Sequence, residues 1–189
     1  ILDIADYKKT GKCRSLIVAG CLGERYGQTL LDEIPEADAV IGTGAWHRIM
    51  EAVDASLSGK RIVIIGDMDN IYHQDMPRII TTPSFSTYIK IAEGCNHRCA
   101  FCSIPLVRGN YRSRSIDDIK QEAVRMVSNG AKEINLVAQD TTNYGADLYG
   151  QASLAKLLRE LVKIKDLSWL RVQYTYPHSF TDELIDVIA

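Results

Sequence analysis

Three cysteines fall within eight positions of "EGCNHRCAFCSIPLVRG", residues 93–109, in a 189-residue chain that has only five. Cys95, Cys99 and Cys102 stand four and three positions apart, and thiols at that spacing have three chemistries open to them. A dithiol exchange site uses a CxxC such as Cys99–Cys102 after a strand, but it has no need of a third thiol at Cys95. A structural zinc ion takes four ligands, commonly from two knuckles well apart. His97 could complete a Cys3His set only inside one tight loop, and the chain has no second knuckle. An iron–sulfur cluster suits soft thiolates and offers one iron to each. Extended backbone covers roughly 3.3–3.6 Å per residue, so these steps can reach neighbouring corners of one cube. Three thiolates on a four-iron cube leave one iron open, and an open position marks a metal that does chemistry. A cluster fits best, with zinc binding and thiol exchange as the alternatives.

The elements that must position these thiols alternate between strand and helix. "SLIVAG" (15–20), "AVIGT" (39–43) and "RIVIIGD" (61–67) read as buried strands, separated by helical patterns near 24–33 and over 46–57. Continuous Val/Ile runs between helices imply a parallel sheet covered on both faces. Residues 68–86, with two prolines and no sustained period, suit an interdomain linker. "TYIKIAEG" (87–94) is a strand that runs straight into the cysteines, and Gly94 frees the backbone to turn there. A helix over 115–130 opens on Ser115 and closes on Asn129-Gly130. It is followed by a strand (133–140), a helix (151–164), a strand (169–177) and a third helix from Thr181. Three β-α units in a row predict the opening of a barrel, with the cysteines at the C-terminal face where barrel enzymes work. The expected fold class is therefore α/β: residues 1–67 as one domain, 68–86 as a linker and 87–189 as the first three barrel units.

Bulk properties narrow the partners. Twenty-two basic and 24 acidic residues give a net charge of −2, which argues against a nucleic-acid or membrane surface spread over the whole chain. No apolar run is long enough to span a bilayer and no secretory signal is visible. Five cysteines, three of them clustered, point to a reducing compartment, the cytosol by default. A chain that starts at Ile1 and stops inside an apparent helix, "TDELIDVIA", reads as a piece of a longer one.

Cys95-Asn96-His97-Arg98-Cys99-Ala100-Phe101-Cys102, a CxxxCxΦC motif with an aromatic at Φ, resembles the signature of radical S-adenosylmethionine (radical SAM) enzymes. The resemblance implies that S-adenosylmethionine chelates the open iron of a 4Fe-4S cluster. One electron then cleaves it to methionine and a 5′-deoxyadenosyl radical, with Phe101 beside the adenine. The flanks "YIKIAEGCNHRCAFCSIPLVRGNYRSR" and "AQDTTNYG" are similar to the methylthiotransferases, and "GCLGERY" with "EIPEADAVIGT" to the end of their N-terminal domain. That family implies a flavodoxin-like parallel α/β domain followed by a radical SAM barrel, here its first half. It also implies a second 4Fe-4S cluster, for which Cys21 matches one ligand and the other two would lie before Ile1. "AQDTTNYG" with "RGNYRSR" looks most like the RimO type, which methylthiolates an aspartate β-carbon on the twelfth small-subunit ribosomal protein. The substrate implied is that ribosomal protein, and the electron donor a flavodoxin or ferredoxin. The alternatives are methylthiolation of a tRNA adenosine and a non-catalytic iron–sulfur or zinc module. A chain lacking the other cluster ligands and the C-terminal domain is not expected to perform the full reaction.

Further residues invite function. Gln139 and Asp140 end the second barrel strand on the active face and could reach the cofactor, or else cap the following turn. Tyr174, Tyr176 and His178 leave the third strand on the same side. Arg108, Arg112 and Arg114 form a basic stretch suited to a carboxylate or phosphate, or simply a solvated run. His97, His47 and Cys13 read as incidental.

Overall fold

The computed structural model describes residues 1–189 except Asp67, Pro77 and Thr82, so the last residue of the expected strand 61–67 and parts of the expected linker lie outside the described residues. It divides into two compact units, Ile1–Asn70 with Cys99–Gly109, and Ile71–Arg98 with Asn110–Ala189.

In the first unit, helix α1 (Leu2–Thr10) precedes the parallel sheet β1 (Ile17–Ala19), β2 (Ala39–Ile41) and β3 (Ile62–Ile64), in that order. Ile17, Ala39 and Ile62 align in register. Alternation along β2 sends Val40 to one face and Ala39 and Ile41 to the other. Val40 packs with Val18, Leu30 and Leu31 beneath α2 (Cys21–Glu33), while Ala39 and Ile41 pack with Ala45 and Ala52 beside α3 (Ile49–Leu57). The two-sided cover expected from unbroken Val/Ile runs is what forms. Gly23 lets α2 lie close on the sheet, since a Cβ there would come within 2.6 Å of the Ile41 carbonyl oxygen.

No sequence signal announces α1. Its large apolar residues Leu2, Ile4 and Tyr7 are exposed and only Ala5 is buried. It is tied instead by Lys8, whose Nζ lies 2.7 Å from Asp38 Oδ2 and 2.9 Å from the Glu36 carbonyl. A short helix, α4 (Ile104–Arg108), follows the cysteines and was likewise not expected.

The second unit holds the parallel sheet β4 (Ser86–Lys90), β7 (Glu133–Val137) and β8 (Trp169–Val172). Helices α5 (Ile116–Ser128), α7 (Leu154–Leu161) and α8 (Asp182–Ile188) belong to this unit. Ile89, Ile134, Leu136, Ile119, Leu157 and Leu161 share one core with Leu184. The caps are those the sequence calls for: Ser115 Oγ accepts from the Asp118 N–H and Thr181 Oγ1 from the Leu184 N–H.

The expected strand 87–94 breaks at Ile91. β5 (Ala92–Glu93) leaves the parallel sheet and pairs antiparallel with β6 (Arg112–Ser113). Ile91 itself bridges the two arrangements, donating to the Val137 carbonyl and accepting from the Arg114 N–H, both at 2.9 Å. The last strand stops at Val172 rather than 177, because Tyr174 sits at φ +60, a left-handed conformation no strand contains. A short helix of this unit, α6 (Ala146–Tyr149), lies between β7 and α7.

Among its described residues, 68–86 carries no helix and only the first residue of β4. Gln74 N–H donates to Asp118 Oδ1 at 3.1 Å, and Arg125 Nη1 donates to Gln74 Oε1 at 3.0 Å. Arg78 Nη1 reaches Glu122 Oε1 at 2.8 Å. The other oxygen of Glu122 takes Arg114 Nη1 at 2.7 Å, and Arg114 also donates to Asp118 at 2.6 Å and to the Lys90 carbonyl at 2.8 Å. Arg114, read from sequence as part of a basic surface stretch, is 2% exposed. Charged groups survive burial only when paired, and this guanidinium is. Among the described residues no helix is long and apolar enough to cross a membrane.

Candidate functional site

The cysteine loop begins where β5 ends. Gly94, at φ +78, makes the turn that a side chain would resist, and Cys95 follows it half-buried. The next two residues are pinned. Asn96 Oδ1 accepts from the Tyr111 N–H at 3.0 Å, and His97 Nε2 lies 2.6 Å from Asp140 Oδ2. Arg98 then takes φ +49, and Cys99 opens a turn closed by a 2.9 Å bond from the Cys102 N–H to the Cys99 carbonyl. Phe101 projects from that turn with 93% of its surface exposed.

Cys95, Cys99 and Cys102 are all free thiols, as are Cys13 and Cys21. Cys95 belongs to the second compact unit, whereas Cys99, Cys102 and Cys21 belong to the first. Among the described residues no three His, Cys, Asp or Glu side chains gather as a set able to hold a single metal ion. A cube differs from a single ion in this respect, because each thiolate goes to its own iron.

Cys21 is the first residue of α2, directly after β1 and the turn at Gly20. It is exposed, and Arg108 Nη2 of α4 stands 3.6 Å from its sulfur. Arg108, Arg112 and Arg114 thus separate by role. Arg108 meets a thiol, Arg114 is buried in ion pairs, and Arg112 lies in β6.

At the end of β7 the two cofactor candidates also differ. Gln139 Oε1 is buried without a hydrogen-bond partner, an acceptor that lacks a donor. Asp140 is buried with both carboxylate oxygens engaged, Oδ2 by His97 and Oδ1 by the Thr142 N–H at 3.0 Å and its hydroxyl. The turn-capping alternative for Asp140 is thus present in the structure, together with a histidine partner that the sequence did not reveal. Tyr176 places its ring 4.6 Å from that imidazole, and His178 lies edge-on to Tyr176, whereas Tyr174 is exposed. Tyr111, missed in the sequence, donates its hydroxyl to the Asp140 carbonyl at 2.6 Å. Burial, reinforced by the Asp140 carboxylate, pushes this phenol far above its ordinary range, so it remains a donor.

A free-thiol triad after the first strand of a parallel β/α series, with an exposed aromatic between its last two members, defines a class of protein. The chain belongs to the Radical SAM superfamily, whose profile matches residues 89–189. Among curated proteins it is similar over its whole length to "Ribosomal protein uS12 methylthiotransferase RimO" of Desulforamulus reducens, 49% identical over 43% of that protein. It is 50% identical to the protein of the same name from Natranaerobius thermophilus, over 42% of its length. The chain thus spans about two fifths of the curated relatives it matches. Among solved structures, the radical S-adenosylmethionine methyltransferase TsrM from Kitasatospora setae superposes with a TM-score of 0.70 at 14% identity. That match covers 98% of this chain and 41% of TsrM, and it speaks for the fold alone.

Proposed function

We propose that this chain carries the sulfur-site and radical-site portions of a methylthiotransferase. Its substrate is the ribosomal protein uS12, at the β-carbon of an aspartate. One observation carries the reading: identity of 47–50% across the entire chain to relatives bearing that name. In this reading residues 1–67 are the end of an N-terminal methylthiotransferase domain, 68–86 a linker and 87–189 three units of a radical SAM barrel.

The donor set suits the cofactors this implies. Cys95, Cys99 and Cys102 would hold a 4Fe-4S cluster, and their free thiols leave all three available as thiolates. Cys21 would contribute to a second cluster, with the Arg108 guanidinium beside its sulfur. Phe101 offers an uncovered flat face to an adenine, and Gln139 offers an unsatisfied acceptor to the amino or hydroxyl groups of S-adenosylmethionine. Asp140 follows Gln139 beyond the end of β7, with both carboxylate oxygens already engaged by His97 and Thr142. With the cluster and S-adenosylmethionine bound, the chemistry supplied is one-electron cleavage giving a primary carbon radical, which can take a hydrogen that no polar base removes. In this reading the protein works in the cytosol, with a flavodoxin or ferredoxin as its electron donor.

Mass spectrometry of ribosomal proteins and of tRNA from a strain lacking the gene tests this. Loss of the methylthio mass from uS12 is the expected result. Loss from a tRNA adenosine with uS12 unchanged would replace the protein substrate by RNA.

A further inference from the structure

The segment that carries Cys95 is tied down at the two residues after it, and neither tie uses a thiol. Asn96 holds the backbone N–H of Tyr111, and His97 Nε2 meets Asp140 Oδ2 at 2.6 Å. A carboxylate can only accept, so Nε2 carries the hydrogen. Asp140 is itself fixed from three sides: Thr142 occupies its other oxygen, Tyr111 OH donates to its carbonyl, and the residue is buried. The His97 side chain keeps 36% of its surface exposed, so core packing does not set its orientation. The bond to Asp140 and the ring of Tyr176, 4.6 Å away, do. Immediately after it, Arg98 holds φ +49, a conformation that costs a side-chain-bearing residue free energy and persists where neighbours over-determine it.

We propose that His97, held by Asp140, is a positioning residue that sets the ligand loop before any cluster arrives. It acts through Cys95 and the left-handed turn at Arg98 that leads to Cys99, rather than by touching cluster or substrate. This rests on the reading that the three thiols take a cluster. It also gives the Asp140 side chain a task other than contact with S-adenosylmethionine. Partners that orient metal ligands from outside the ligand set typically matter by about 10–100-fold in metal affinity.

The test uses the full-length protein, reconstituted anaerobically with iron and sulfide, as wild type, His97→Phe and His97→Gln. Phenylalanine keeps a flat ring for Tyr176 but has no hydrogen to give Asp140. Glutamine can return an N–H near the Nε2 position. Iron loss to a chelator is expected to be about 10–100-fold faster in His97→Phe, with most of that recovered in His97→Gln. In metal-free protein, the alkylation rate of Cys95, read by mass spectrometry, should shift in His97→Phe and return in His97→Gln. Should the Phe variant not fold, His97→Ala takes its place. Wild-type rates of iron loss and alkylation in His97→Phe would overturn the proposal, as would equal defects in both variants with equal loss of melting temperature. A wild type that takes up no iron would instead defeat the cluster reading. The alkylation rates of the metal-free proteins would then still decide the role of His97.

Discussion

Arg114 and Cys99 lie fifteen residues apart in sequence, and the protein treats the two positions in opposite ways. Around Arg114 the charges are buried and answered: Glu122 takes Arg114 on one oxygen and Arg78 on the other, with Asp118 beside them. Around Cys99 the thiols are free, and Phe101 stands in solvent. A buried ion network is costly to desolvate and adds little net stability over apolar packing, but it is intolerant of a missing member. An exposed aromatic beside free thiols adds nothing to stability, because nothing covers it. One region uses its polar groups to hold Gln74, Arg78 and the segment 114–122 in place, and the other keeps its groups available for something that binds.

The sharpest way to break that contrast is Cys99→Ala in the full-length protein. Bound iron at the barrel site and reductive cleavage of S-adenosylmethionine should both be lost, measured as iron content and 5′-deoxyadenosine. Folding stability should stay within about 0.5 kcal/mol, because the side chain is exposed. Undiminished 5′-deoxyadenosine would remove Cys99 from the ligand set.

Glu122→Ala should do the reverse. It removes the carboxylate that two guanidinium groups share, leaving the fully buried side chain of Arg114 with Asp118 as its one remaining carboxylate, and should cost about 3–5 kcal/mol in urea denaturation. A loss below about 1 kcal/mol would mean that water reaches Arg114 and that the network is no more than a surface arrangement.

The two regions were also unequally legible. The cysteine spacing and the Val/Ile runs are local, so the thiol loop and both parallel sheets could be read from residues close in the chain. The ties of Arg78 and Arg114 to Glu122 span 44 and 8 positions, and that of His97 to Asp140 spans 43, with no periodicity to announce them. Arg114 looked solvated because its neighbours Arg108 and Arg112 made a charge run, yet Ile91 accepts its N–H at the point where β5 leaves the sheet. Helix α4 is five residues long and contains a proline in its first turn, too short to show a period. Tyr174 stopped β8 early through a backbone angle that no pattern of side chains encodes.

Between the extremes lies Tyr111, buried like the network but bonded to the strand end that holds His97. Tyr111→Phe removes the donor to the Asp140 carbonyl and leaves that oxygen short of a partner, which should cost about 1–3 kcal/mol. Chelator resistance of the reconstituted cluster should fall as well, since the same carbonyl belongs to the residue that anchors the loop. A stability loss with unchanged iron retention would confine Tyr111 to the core and separate it from the ligand loop.

The smallest effect belongs to a charge cluster with neither burial nor ligand. Glu160 is flanked by Lys120 at 2.8 Å and Lys163 at 2.5 Å, and their hydrogen bonds and charges hold its carboxyl down at about 2. A carboxyl whose folded value lies below its unfolded one favours the folded state at neutral pH, and that contribution fades as the pH falls from the ordinary value of 4.5 toward about 2. Water and salt screen exposed charges, so the titration should show this more clearly than the stability does. The Glu160 carboxyl resonance should titrate near its depressed value in dilute buffer, and rise toward 4.5 in high salt or in Lys120→Met. An ordinary midpoint in dilute buffer would show the lysines too mobile to act. The line between invested and idle charge would then fall at burial, with the Arg114 network on one side and every solvent-facing pair on the other.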